Sequence, residues 1–390
     1  MIEPAALTLS DTTDLLLPPV TDVSHDAELS LLEKRVAAAE QAVEESRYDD
    51  AVALLDEVSI VPTQYPDLAL RGLFAGSWAR MYCGELDEAL TMLQTAKQVA
   101  HRPGFNDVDR AEVLCRIAAV RVKRGSISRA VNDLSLALEL CDRSGRPCDR
   151  LRAEIYDWRS RCYQQQRDFN AARDDVEAAL ELADGMGDTI ASADINFRAS
   201  SIAEREGKWL VARTYAERAK DLYEQAGQRN KVGRVLNDLG GITFLLGKHD
   251  EAIAYLKRSV SVLFDAAGDV ETGYAVSSLA QVYLRTGDPA RAEEQARIAL
   301  GLLEQGREDV LEEIGNAQLV LGRSLLELGR PDEAEAAFVA AEASFSNRES
   351  ISLLAAAWMA RGELATARND SVSAAGLYRQ AAEALQDFNF

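Results

Sequence analysis

Small and apolar positions recur along this chain with a period near 40 residues. Aligned on one alanine, nine copies place Ala51, Ala89, Ala130, Ala172, Ala212, Ala252, Ala292, Ala334 and Ala374 at the same point, with steps of 38, 41, 42, 40, 40, 40, 42 and 40 residues. Twelve residues before each marker stands a small residue: Ala39, Ser77, Ala118, Ser160, Ser200, Gly240, Ala280, Gly322 and Gly362. Seven residues after it stand Val58, Ala96, Ala137, Ala179, Ala219, Ser259, Ala299, Ala341 and Ala381, small in every copy but the first. The spacing predicts two amphipathic helices per copy, crossing closely where no bulky side chain intervenes. Between them the chain turns at Gly84, Gly125, Gly207, Gly247, Gly287 and Gly329, where glycine ends a helix in a left-handed cap at no steric cost. Ser46, Arg167 and Asn369 replace it in the other three copies, which predicts less ideal turns there.

A fixed period of this size means stacked helical hairpins rather than a compact domain with one core. Each hairpin exposes an apolar face until its neighbour covers it, so stability is expected to grow with repeat number. The expected organisation is a flexible leader over residues 1–25 and a solenoid of nine hairpins over 26–390. Solenoids bind along extended concave surfaces, which directs the search for function to a groove rather than to a catalytic cleft.

The pattern resembles a tetratricopeptide repeat (TPR) array over roughly residues 28–387. Repeat six carries the resemblance best, with Leu236, Leu239, Gly240, Ala252 and Leu256 at the motif's core positions. Repeat seven follows with Leu279, Ala280, Tyr283, Ala292 and Ala299, and repeat eight with Leu321, Gly322, Ala334, Phe338 and Ala341. Repeats four, five and nine are degenerate, and Arg159 and Arg361 stand where an apolar residue is expected. The period exceeds the family's basic unit of roughly 34 residues. Six extra residues shared by two helices lengthen each by about 4–5 Å. The resemblance implies an all-α fold, a right-handed superhelical solenoid of about nine TPR-like helix-turn-helix repeats. It is similar to TPR scaffolds and to the TPR sensor regions of bacterial regulators.

Charge narrows the partners. The chain carries 64 acidic against 43 basic residues, a net charge of −21. This argues against direct nucleic-acid binding, which needs a basic face, and against an anionic membrane surface. Residues 1–60 hold 14 acids and 3 bases, which suits a solvated leading end. No stretch reaches the ~18 apolar residues needed to span a bilayer, and no basic region precedes an apolar one at the start, so a cytoplasmic location is expected. Cys83, Cys115, Cys141, Cys148 and Cys162 form neither a zinc pattern nor a disulfide framework and are expected to be buried thiols.

Enzyme signatures are absent: there is no phosphate-cradling glycine loop, G-x-S-x-G elbow or H-E-x-x-H helix. His25, His101 and His249 fall in the leader or in turns, where surface histidine is the ordinary reading. No catalytic residue, metal site or cofactor is expected.

In the TPR resemblance the concave wall comes mainly from the first helix of each repeat. Carried onto this chain, it implies a peptide- or partner-binding surface containing Arg161, Phe197, Arg205, Arg234, Asn237, Tyr274, Gln281, Arg285, Asn316 and Arg323. Repeat two adds an aromatic patch of Phe74, Trp78 and Tyr82, with core packing between repeats as the alternative for Phe74 and Trp78. Amides can pair with peptide backbone, arginine can clamp carboxylates, and aromatic rings can hold apolar side chains. The expected function is therefore a non-catalytic protein- or peptide-binding module. The alternative is a ligand- or peptide-sensing regulatory protein, the sensor part of a bacterial transcription regulator without its own DNA-binding domain. The apolar run Leu15–Val20 is a candidate to dock into a groove, and the closing Phe388 and Phe390 to seal the last hairpin or join two copies in a homo-oligomer.

Overall fold

The computed structural model describes residues 25–387, apart from 46, 59–60, 304–309 and 347–350. The leader before His25, the turn residue Ser46, and Phe388 and Phe390 lie outside the described residues. Among the described residues the regular structure is entirely helical, and no helix is long and apolar enough to cross a membrane. The chain divides after Gly104 into two compact units.

The first unit holds two hairpins: α1 (His25–Glu44) with α2 (Tyr48–Asp56), and α3 (Pro66–Tyr82) with α4 (Leu86–Ala100). The second holds seven. They are α5 (Asp107–Lys123) with α6 (Ile127–Ser144), α7 (Asp149–Gln165) with α8 (Phe169–Met186), α9 (Thr189–Arg205) with α10 (Trp209–Gln225), and α11 (Arg229–Leu245) with α12 (His249–Ala266). Then follow α13 (Asp269–Arg285) with α14 (Pro289–Leu303), α15 (Leu311–Glu327) with α16 (Pro331–Ser346), and α17 (Ile351–Ala367) with α18 (Ser371–Asp387). The nine hairpins coincide with the nine sequence copies. From α3 onward every first helix has 17 residues, so all present walls of equal length, about 25 Å at 1.5 Å per residue.

The small residues do what their spacing requires. All nine marker alanines are buried, and so are the small residues twelve before them. Where that earlier position is glycine, a large side chain four residues past the marker fills the space. A Cβ at Gly240 would stand 2.5 Å from Leu256, one at Gly322 2.4 Å from Phe338, and one at Gly362 2.6 Å from Tyr378. The two aromatic partners stand only opposite glycine. A second row, which the three offsets did not reveal, matches Gly233 with Leu263 at 2.5 Å, Gly273 with Leu303 at 2.9 Å, and Gly315 with Phe345 at 2.4 Å. Serine in these rows directs its hydroxyl to backbone: Ser200 Oγ donates to Ala212 O at 2.8 Å and Ser259 Oγ to Gly233 O at 2.7 Å. Both buried hydroxyls are thereby satisfied.

From α3 onward the turns between paired helices share one Schellman geometry. Gly247 N–H donates to Phe244 O at 2.9 Å, and Lys248 N–H to Thr243 O at 3.1 Å. Arg167 and Asn369 make the same bonds but hold φ at 62° and 61°, the left-handed region that side chains disfavour. The degenerate positions are filled by charge pairs. Arg159 clamps Asp175 with two bonds of 2.8 and 2.7 Å and lies 5.5 Å from the Tyr156 ring. Arg361 Nη1 donates to Glu342 Oε2 at 2.5 Å, and Trp358 Nε1 donates to the other oxygen at 2.8 Å.

Within the second unit, first helices of successive hairpins touch each other at most of the junctions, whereas no two second helices make comparable contact. The first helices therefore line the inner, tighter side. On the outer side the wider spacing leaves a cavity of about 300 Å³ lined in part by Val176, Ile202, Val211 and Tyr215.

Two outcomes test this packing. Gly240→Leu is expected to destabilise the fold by about 1–3 kcal/mol through overpacking, read from urea unfolding. Arg167→Gly relieves a left-handed side chain and is expected to stabilise by about 1 kcal/mol in the same measurement.

Candidate functional site

The inner wall of the second unit is held by ion pairs that cross from one first helix to the next. At its centre is Asp157 on α7, 9% exposed. Arg161, one turn along α7, donates to Asp157 Oδ2 through Nη2 at 2.5 Å and Nε at 3.0 Å; Arg198 of α9 donates through Nε to Oδ1 at 3.1 Å. Burial pushes the Asp157 carboxyl up, but Arg161 and Arg198 more than offset it and hold it below the usual value. Arg198 is itself lowered, by burial first and by the nearby Arg161 second. The guanidinium of Arg161 also lies 4.3 Å from the Trp158 ring centre. Arg161 is thus a positioned group rather than an arm free in solvent, and its removal would leave Asp157 to Arg198 alone.

A second node lies across α9–α11. Lys231 Nζ donates to Asp194 at 2.8 and 3.1 Å, the Tyr223 hydroxyl donates to the same carboxylate, and Lys231 sits 5.3 Å from the Tyr223 ring centre. Between the nodes a cleft of about 250 Å³ opens, lined by Arg150, Glu154 and Asp157 of α7 and by Ile190, Ala191, Asp194 and Ile195 of α9. Burial raises the Glu154 carboxyl at its edge. Lys123 of α5 is lowered, by burial first and then by Arg161 and Arg234, so cations from repeats three, four and six converge on one region.

The other sequence candidates of the second unit lie on α9, α11, α13 and α15. Arg205, Arg234, Gln281 and Arg285 are exposed, Tyr274 is half-buried, and Phe197 packs partly into the core beside Tyr223. Arg285 lies 5.8 Å from the Phe244 ring centre, and that ring stacks on His249 at 5.0 Å. Asn237 is half-buried, and its Oδ1 is enclosed without a hydrogen-bond partner among the described residues. Burial raises the Glu313 carboxyl, opposed by its hydrogen bond to Asn316. Arg323 pairs with Glu363 at 3.4 Å. Cys115 and Leu319, which share the inward register, are buried instead.

The aromatic patch belongs to the other unit. Phe74 is 8% exposed and lies in the core, as the packing alternative expected. Trp78 is half-buried and reaches Tyr82 at 5.8 Å, while Tyr82 stacks on Tyr48 of α2 at 4.5 Å with planes 8° apart.

Arg198 and Asp238 were not among the sequence candidates. Both stand fourteen residues before a marker alanine, so a shared register was the signal that could have found them. Burial and the charge of Glu204 raise the Asp238 carboxyl to about 7 against an ordinary 3.8, with Asn237 and Arg234 opposing. The unfolded chain ionises this group near 3.8 while the folded chain keeps its proton up to about 7, so it withdraws stability as pH rises across that window. Asp238→Asn is expected to raise the urea midpoint at about pH 8 and leave it nearly unchanged at about pH 4.

Four tetratricopeptide repeat models match residues 153–185, 189–263, 273–297 and 319–387, together more than half of the chain. No curated protein matches the sequence. Among solved structures, a Rap protein complexed with competence and sporulation factor aligns at 15% identity over 92% of this chain and 98% of its own, with a TM-score of 0.61. The apo form of the quorum sensor NprR from B. thuringiensis aligns at 12% identity over 92% and 97%, with a TM-score of 0.63. Aspartyl phosphate phosphatase F from Bacillus subtilis aligns at 13% over 91% and 94%, with a TM-score of 0.58. At these identities the likeness is one of fold. With nine hairpins, buried small-residue crossings and matching repeat models, this chain belongs to the tetratricopeptide repeat proteins.

Proposed function

We propose that the chain is a non-catalytic, peptide-binding regulatory module whose second unit receives an extended segment along its first-helix wall. The observation that carries this reading is the unsatisfied acceptor of Asn237 on α11, the helix that also carries Arg234. An enclosed amide oxygen without a partner is costly, and a peptide backbone N–H would satisfy it. The converging cations suit a carboxylate, while the cleft between α7 and α9 offers room for one side chain beside acidic groups. The groove thus presents both signs of charge, which fits a short zwitterionic peptide better than a uniformly charged polymer.

Sensing is favoured over scaffolding by the kinds of protein that share the fold across nearly the whole chain: one neighbour is described as a quorum sensor, and another is bound to a competence and sporulation factor. A third is described as an aspartyl phosphate phosphatase, and catalysis is not inferred from it. The Asp157 carboxylate of this wall is spent on Arg161 and Arg198.

The test is selection from a random peptide library with the full chain, against the variant Arg205→Ala, Arg234→Ala, Asn237→Ala. These side chains are exposed or half-buried, so thermal stability is expected to stay within about 0.5 kcal/mol of wild type. Peptides enriched by the wild type and lost at least tenfold by the variant would support the groove. Equal enrichment by both would remove this wall from consideration.

A further inference from the structure

The turn between α6 and α7 holds a pair of thiols that peptide binding does not use. Cys141 lies in the last turn of α6, and Cys148 is the capping residue at the N-terminus of α7. Gly145, at a left-handed φ of 61°, ends α6 and doubles the chain back. Seven residues apart across this reversal, the two thiols come close enough to influence each other. Both are unoxidised thiols, at 1% and 8% exposure, and residues 145–147 between them are exposed.

The two sulfurs differ in surroundings. Arg152, one turn into α7, donates Nε–H to Cys148 Sγ at 3.4 Å and is braced by its Nη2 bond to Asp142 Oδ1 at 2.5 Å. Cys148 also stands at the N-terminal end of a 17-residue helix. A guanidinium and a helix N-terminus are the environment in which cysteine acts as a nucleophile. Burial first, and the contact with Cys148 second, push the Cys141 thiol up to about 12. Cys141 is therefore suited to remain protonated until a partner sulfur is activated.

We propose that Cys148 and Cys141 form a reversible oxidation site, at which a low-molecular-weight hydroperoxide converts the dithiol into a disulfide across the α6–α7 turn. Cys148 sulfur attacks the terminal oxygen of the hydroperoxide; the S–O bond forms, the O–O bond breaks, and the departing alkoxide takes a proton to become an alcohol. Cys141 sulfur then attacks the Cys148 sulfenic acid. The S–S bond forms, and hydroxide leaves with the Cys141 proton as water. Two thiols lose two electrons and the O–O bond gains them. With hydrogen peroxide both oxygens end as water. The product ties the end of repeat three to the start of repeat four, at the helix that carries Asp157 and Arg161. Excess thiol reverses it.

The remaining cysteines provide internal contrast. Cys115 and Cys162 are at most 1% exposed within α5 and α7, and the Cys83 thiol donates to the Asp49 carboxylate at 3.5 Å. The experiment treats the full-length chain with a small excess of hydrogen peroxide, followed by digestion and mass spectrometry without reduction. The expected product is one disulfide joining the peptides that carry Cys141 and Cys148, lost after dithiothreitol. In Cys141→Ser, dimedone is expected to label Cys148. Retention of both thiols, a different linked pair, or irreversible oxidation of Cys148 with Cys141 still reduced would overturn the proposal. The wild-type linkage is read without any variant, so a folding defect in Cys141→Ser does not blur it. Because the readout is a covalent bond, it is also independent of whether the groove takes a peptide.

Discussion

Close crossing of paired helices at positions without bulk is the constraint from which the rest of this structure follows. At Gly240, Gly322 and Gly362 even a single added carbon would stand within 2.6 Å of a facing side chain. Such contact brings the two backbones of a hairpin together, and the large partner then fills the gap with dispersion contacts that a smaller residue could not make. The rows at Gly233, Gly273 and Gly315 repeat the solution nearer the other end of each first helix. Two close crossings per hairpin set the angle between helices as well as their distance.

Curvature of the second unit follows from the same asymmetry. First helices meet their counterparts in the next hairpin, while second helices stand apart and leave an outer cavity. The inner wall therefore concentrates side chains from several repeats. This is why Lys123, Arg161 and Arg234, which are far apart in sequence, influence one another, and why their charges need company. Buried charge is tolerated only when paired and hydrogen-bonded. Asp157 shows how: Arg161 and Arg198 reach it from adjacent repeats, so the ion pair also couples one hairpin to the next. Arg159 with Asp175 and Arg361 with Glu342 apply the same chemistry where the repeat motif would place apolar residues.

Regulation by a peptide and regulation by oxidation would act on neighbouring parts of one element. The N-terminus of α7 is reached by Arg152 and Cys148, and its middle bears Asp157 and Arg161. A covalent tie at the first would restrict how α7 sits against α6, and hence the spacing of the wall to which the second contributes. In a repeat array such local restraint matters, because each hairpin is positioned by its neighbours alone.

The nine hairpins, their turns and their small-residue crossings were legible in the sequence, because each copy repeats the same local requirement and periodicity reports it. Arg167 and Asn369 were marked as poor turn residues, and both adopt the left-handed conformation because the Schellman bonds outweigh the strain. The second small-to-large row was present in the sequence but hidden, since Leu70 and Ala100 invert it in one copy and alanine occupies it in others. The division of the chain after Gly104 left no periodic trace. Tertiary structure alone decided which wall residues are spent on each other. Asp157 and Arg161 stand one turn apart on α7, a spacing the sequence contains, but only the tertiary structure brings Arg198 of the next repeat to the same carboxylate. Nor could spacing show that Cys141 and Cys148 influence each other, because their approach depends on how Gly145 turns one hairpin into the next. Local periodicity sets each helix and the face it buries; pairing across repeats depends on rotations and distances that no single copy encodes.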